Sequence, residues 1–132
     1  MLKITRKVEY ALIALRHMQQ SPNNSVSSAS QIASQYGIPQ HLLAKTLQQM
    51  ARDGLIQAVK GPAGGYKIKA DLKKISLKDF FEKLEGPLGL MDCYFNTDCL
   101  QMKACNILSP IQKINQNIRD MFSKTTLLEI TQ

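Results

Sequence analysis

Residues 28–54 read SASQIASQYGIPQHLLAKTLQQMARDG. Ser28 with Gln31 three residues later forms a capping box, which gives side-chain acceptors to backbone N–H groups that open a helix. That helix turns Ile32 and Ala33 inward, and Gly37 stops it, since glycine enters the left-handed conformation of a helix end without strain. Pro39 then suits position N1 of the next helix, where its fixed φ is already helical. Along this second helix Leu43, Leu47 and Met50 recur at i, i+4, i+7, while Gln40, His41, Ala44, Lys45 and Gln48 fall on other faces. Gly54 stands where the glycine after a helix belongs. Two helices joined by a Gly-x-Pro turn read as a helix-turn-helix.

On either side the pattern continues. Upstream, Thr5 can cap a helix whose Val8, Ala11, Leu12, Leu15 and Met18 form one apolar stripe, and Ser21-Pro22-Asn23-Asn24 ends it. Downstream, residues 55–69, LIQAVKGPAGGYKIK, place β-branched and aromatic residues on both sides of a glycine-rich tip, the pattern of a β-hairpin wing. A glycine-rich loop can instead cradle nucleotide phosphates, but that use needs Gly-Lys-Ser/Thr opening a helix, and here Gly64-Gly65-Tyr66-Lys67 leads into a strand. With little side-chain bulk at Gly61, Pro62, Gly64 and Gly65, backbone amides and the ammonium groups of Lys60, Lys67 and Lys69 could approach a DNA backbone closely. Read by itself, the hairpin is equally consistent with a merely solvated one.

The 132 residues carry 17 Lys and Arg against 10 Asp and Glu. Residues 1–75 hold eleven of those bases and three acids, a balance of +8; the remainder holds six bases and seven acids, a balance of −1. Such asymmetry predicts attraction to a polyanion, with nucleic acid ahead of anionic membrane. The composition, 44% hydrophobic, is that of an ordinary globular core, and the length fits one domain. Residues 10–15, the longest early apolar run, are too few to span a bilayer, so no membrane association is expected and the cytoplasm is the expected compartment.

Beyond Ser76 a helix presents Leu77, Phe80, Phe81 and Leu84, and Gly86-Pro87 breaks it. The three cysteines follow as Cys93-x5-Cys99-x5-Cys105. An odd count cannot pair completely into disulfides within one chain. Thiolates are soft ligands for zinc, copper(I) or iron-sulfur clusters, yet the spacing fits neither zinc fingers nor bacterial ferredoxins. By itself the spacing says sensor or cofactor loop; three small buried hydrophobes are the plain alternative. Ser109-Pro110 reads as the N-cap and N1 of a further helix with Ile111, Ile114, Ile118, Met121 and Phe122 on one stripe. A helix from a second subunit or this chain's own first helix could cover that stripe. Thr125 or Thr126 starts a last short turn through Leu127, Leu128 and Ile130.

Taken together, Lys3-Ile4-Thr5, Tyr10-Ala11-Leu12, the helix-turn-helix, the wing Lys60-Gly61-Pro62-Ala63-Gly64-Gly65-Tyr66, Ile75-Ser76-Leu77-Lys78-Asp79, Leu84-Glu85-Gly86-Pro87 and the cysteine loop resemble the iron-sulfur-cluster regulators (IscR) and nitric-oxide-sensing repressors (NsrR) of bacteria. The resemblance covers essentially the whole chain. It implies a homodimeric winged-helix regulator whose Cys93, Cys99 and Cys105 hold a 2Fe-2S or 4Fe-4S cluster that changes operator binding. Some members take a fourth ligand from a histidine three residues after the last cysteine, and here that position is Leu108. Others use an acidic residue of the first helix, which here is Glu9. Where the cluster-biogenesis regulators carry a glutamate involved in operator choice, this chain has Ala44.

The expected fold is therefore mainly α with a small β-hairpin: a winged helix-turn-helix region over residues 1–75, then a sensor loop (86–109) and a dimerisation helix (110–124), all in one continuous domain. Double-stranded DNA with a pseudo-palindromic operator is the expected partner. Gln40, His41, Lys45 and Gln48 are the expected groove contacts, Lys60, Gly61, Pro62, Gly64, Gly65 and Tyr66 the wing contacts, and Ile111, Ile114, Ile118 and Met121 the dimer seam. Half-site centres should then lie roughly 34 Å apart. An enzyme is not expected, since neither His17 nor His41 is paired with a nucleophile or an orienting carboxylate in any recognisable pattern. A thiol-redox or zinc switch on the same scaffold is the alternative, and an iron-sulfur carrier a more distant one.

Overall fold

Side-chain caps start the helices. In the computed structural model, which describes residues 4–22, 25–87, 89 and 104–132, Thr5 accepts from the Val8 N–H at 3.3 Å and opens α1 (Arg6–Gln20). The Ser28–Gln31 capping box is closed in both directions, at 3.0 and 3.1 Å, and opens α2 (Ala29–Tyr36). Gly37 ends α2 at φ 66°. The next helix, α3 (Gln40–Arg52), begins one residue later than its sequence predicts. Pro39 has an extended ψ of 121° and lies just outside, where its carbonyl accepts the first helical bond, from the Leu43 N–H at 3.1 Å. At the other end the Leu55 N–H reaches the Met50 carbonyl (3.0 Å) and the Gly54 N–H the Ala51 carbonyl (3.1 Å). This is a Schellman closure around Gly54 at φ 81°, with Leu55 buried against the helix as the motif requires.

Strands β1 (Ile56–Val59) and β2 (Gly65–Ile68) pair antiparallel, from Ile56 opposite Ile68 to Val59 opposite Gly65. A 3-10 turn (Leu72–Lys74) leads to α4 (Leu77–Glu85), capped by Ser76 and ended by Gly86 at φ 89°. The long helix α5 (Leu108–Lys124) starts before Ser109-Pro110, with Ile107 at its N-cap. Pro110 is tolerated because the N–H groups of a first turn have no intrahelical acceptor to lose. Thr126 then caps α6 (Leu127–Thr131) through a second capping box with Glu129.

The core gathers around α1. Its Val8, Ala11, Ala14, Leu15 and Met18 join Ile32, Leu43, Leu47, Met50, Leu55, Ile56, Phe80, Leu84 and Leu127 in one buried cluster. Residues from both ends of the chain therefore share a core. At the C-terminus, α6 packs on α1, while α5 packs on α4 through the edge-to-face pair Phe81–Phe122, 5.2 Å between centroids. The Leu77 N–H donates to the Thr125 carbonyl and the Leu127 N–H to the Ile75 carbonyl, both at 2.8 Å, which fixes α6 beside the start of α4. Among the described residues no helix is long and apolar enough to cross a membrane.

Candidate functional site

One face of α3 is spent on the core: Leu43, Leu47 and Met50 are fully buried, and the Thr46 hydroxyl beside them donates to the Leu42 carbonyl at 3.0 Å. Gln40, His41, Lys45 and Gln48 are exposed, as their periodicity predicts, while Ala44 is half-buried. His41, Lys45, Gln48 and the exposed Arg52 follow one another at i, i+4, i+7 and i+11, so they share one outward row. Arg52 escaped the sequence reading, although the helical period alone would have added it. Ile38, in the turn before α3, is buried and anchors the two helices against each other.

In the wing, Lys60, Gly61 and Pro62 are exposed at the tip, whereas Gly64, Gly65 and Tyr66 are half-buried. The tip is closed by a bond from the Gly64 N–H to the Gly61 carbonyl at 2.9 Å. Tyr66 has a structural task that its sequence context does not reveal. Its backbone exchanges two hydrogen bonds with Ser27, at 2.9 and 2.8 Å, so the residue before the α2 cap joins the wing through a single antiparallel bridge. Glycine is required next to this contact, because a Cβ on Gly65 would overlap the Ser27 carbonyl. Gly65→Ala should cost about 1–3 kcal/mol, the usual penalty of overpacking, read as a lower urea midpoint at unchanged m. An unchanged midpoint would show that the Ser27 segment yields freely.

The last turn of α4, ahead of the cysteine segment, is anchored by the rest of the fold. Helix C-termini leave carbonyls without intrahelical donors, and here two of them are met by the helix-turn-helix half. Gln49 Nε2 donates to the Lys83 carbonyl and Lys7 Nζ to the Leu84 carbonyl, each at 3.0 Å, while the Thr5 hydroxyl donates to Glu85 Oε1 at 2.7 Å. Of the cysteines, Cys105 is half-buried just ahead of α5; Cys93 and Cys99 lie outside the described residues. Among the described residues no three His, Cys, Asp or Glu side chains gather into a metal-sized group. Glu9 sits in the first turn of α1 and pairs with Arg6 at 3.2 Å, its side chain 43% exposed. Leu108 opens α5. His17 is half-buried at the core edge, its Nδ1 2.9 Å from the Tyr36 hydroxyl.

The stripe of α5 divides in two. Ile111 and Ile118 are half-buried, whereas Ile114 and Met121 are 49% and 56% exposed. Ile107, which the sequence reading left out, is 50% exposed and stands seven residues before Ile114, which stands seven before Met121. The only buried residue of α5 is Asn115. One edge of the stripe, Ile107, Ile114 and Met121, is therefore left exposed among the described residues, while Phe122 packs on α4.

Compared with known protein families, residues 4–132 match the Rrf2 family, described as an iron-dependent transcriptional regulator. Solved structures share the fold along almost the full length. The CymR (YrzC) global cysteine regulator of B. subtilis has a TM-score of 0.77 at 24% identity, with 99% of this chain and 97% of that one covered. A transcriptional regulator from Listeria innocua has 0.80 at 23% identity, with 97% and 85% covered. T. potens IscR has 0.71 at 24% identity, with 98% and 85% covered.

Proposed function

Because the chain belongs to the Rrf2 family of transcriptional regulators, we propose that it is a homodimeric repressor whose hold on a pseudo-palindromic operator is gated by an iron-sulfur cluster on Cys93, Cys99 and Cys105. The observation that carries the DNA-binding half is the exposed row His41–Lys45–Gln48 beside Gln40, carried on a helix whose opposite face is locked into the core. In a major groove, Gln40 and Gln48 suit adenine and Lys45 suits guanine or a phosphate. Lys60 and the small residues of the wing tip would lie along the flanking backbone.

Three thiolates and a carboxylate form a donor set that iron accepts, with Glu9 as the oxygen donor in place of the histidine that Leu108 replaces. When bound, the cluster supplies iron that small reactive molecules can reach, which suits sensing of redox state, nitric oxide or iron-sulfur supply. The protein's own part is mechanical. Lys7 and Gln49 hold the carbonyls of Leu84 and Lys83, directly before the chain leaves for the cysteines. A shift at that point pulls on α1 and α3 together.

Anaerobic purification with ultraviolet-visible spectroscopy and iron and sulfide assays tests the reading. Cys93→Ser, Cys99→Ser and Cys105→Ser should each abolish the visible chromophore with helix content nearly intact, since none of the three belongs to the buried cluster of the described residues. Glu9→Ala should retain the fold and dimer but hold the cluster less tightly. A colourless wild type that binds zinc, or one whose DNA affinity follows only thiol oxidation, would replace the cluster with a metal or thiol switch.

A further inference from the structure

A groove of about 570 Å³ lies between the first turn of α1 and α3. Four cationic residues line it, Arg6 and Lys7 from α1 and Lys45 and Arg52 from α3, and no acidic residue is among those lining it. Tyr10 and Leu42 give it an apolar wall. Lys7 is held at the Leu84 carbonyl, which fixes the position of its charge. Among the described residues, neither Lys45 nor Arg52 has a carboxylate partner, and Arg6 has one, Glu9, at 3.2 Å. Four like charges around one groove repel each other until an anion enters.

The groove continues the outward row of α3, because Lys45, Gln48 and Arg52 belong to both. A helix in a major groove about 12 Å wide has a phosphate backbone on either side. With α3 so placed, one backbone runs where this groove opens. We infer that the groove seats the DNA backbone beside the recognition helix, and that in the cluster-free protein, where iron does not engage its carboxylate, Glu9 competes with the phosphate for Arg6. This rests on the DNA-binding reading above and extends its contact surface to α1. The Arg6–Glu9 pair is then a built-in restraint: while Glu9 holds the guanidinium, one of the four charges is partly neutralised before DNA arrives. Discrimination between sequences does not change, because a phosphate contact carries no base information.

The test is the salt dependence of binding by the full-length protein, on operator and on random DNA. Arg6→Gln and Arg52→Gln should each lower the slope of log affinity against log salt by about one per half-site, with equal losses on both DNAs. In cluster-free protein Glu9→Gln should tighten binding about twofold to fivefold, the range of an exposed ion pair, and this gain should vanish in the Arg6→Gln background. Because that variant gains affinity, the result does not depend on a damaged fold. An effect of Glu9 exerted through the cysteine loop would persist in the Arg6→Gln background, and that outcome would overturn the competition. Unchanged slopes in both arginine variants, with steep wild-type binding, would overturn the groove assignment alone. Inorganic phosphate bound by the groove while DNA affinity ignores the variants would do the same, making it a small-anion site. A wild type with no salt-dependent DNA binding would remove the DNA-binding reading itself.

Discussion

In the proposed homodimer, replacing Ile114 and Met121 together by glutamate should leave a folded monomer and lower operator affinity by about 10²- to 10⁴-fold, the loss expected when two linked half-site contacts become independent. The two side chains are about half exposed in the single chain, at 49% and 56%, so the substitution leaves the core untouched. Their exposure has a physical cost: a contiguous apolar stripe in water is unfavourable, and burying a large aliphatic side chain contributes about 1.5–3 kcal/mol. With Ile107 the exposed positions recur every seven residues, and Ile111 and Ile118 flank them at the same interval. That is the spacing at which two helices interlock side chains along a seam. Light scattering at micromolar concentration reads the mass, and circular dichroism confirms the retained helices. A variant that remains dimeric would move the interface elsewhere.

The second large effect belongs to Phe80. Its side chain is 0% exposed and sits in the central cluster, with Phe81 beside it at 6.2 Å between centroids. Phe80→Ala should lose about 3–5 kcal/mol, the transfer term plus the cavity left behind. A domain of this size is stable by only about 5–15 kcal/mol, so a large share would disappear. Urea unfolding should show a strongly lowered midpoint. Because α4 is held by the same core that positions α1 and α3, DNA affinity should fall as well once the folded fraction drops. A loss under 1 kcal/mol would mean that the surrounding side chains collapse into the space, and that α4 is anchored mainly by its hydrogen-bonded last turn.

Much of the architecture was legible because its signals are local. Thr5, Ser28, Ser76 and Thr126 each precede a helix by one residue, and a capping hydroxyl acts within three residues of itself. Gly37 and Gly54 mark helix ends for the same short-range reason. The outward row of α3 followed from its period, since burial of Leu43, Leu47 and Met50 leaves Gln40, His41, Lys45 and Gln48 no other direction to face. The wing followed from its composition. Helix starts at proline were displaced by one or two residues, because Pro39 and Pro110 are both compatible with more than one position of a first turn.

What the sequence determined by itself is the helix-turn-helix, the wing, the cysteine spacing and the residue types on each helical face, all consequences of periodicity and of contacts a few residues long. Tertiary structure decided the rest. Ser27 joins the wing only because folding brings it to Tyr66; Lys7 and Gln49 reach the end of α4 only because α1, α3 and α4 converge there; and α6, rather than α5, covers α1. The same packing gathers Arg6, Lys7, Lys45 and Arg52 around one groove. Hydrogen bonds and charge pairs act over a few ångströms of space, and residues distant along the chain become neighbours only once the hydrophobic core has fixed the helices against one another.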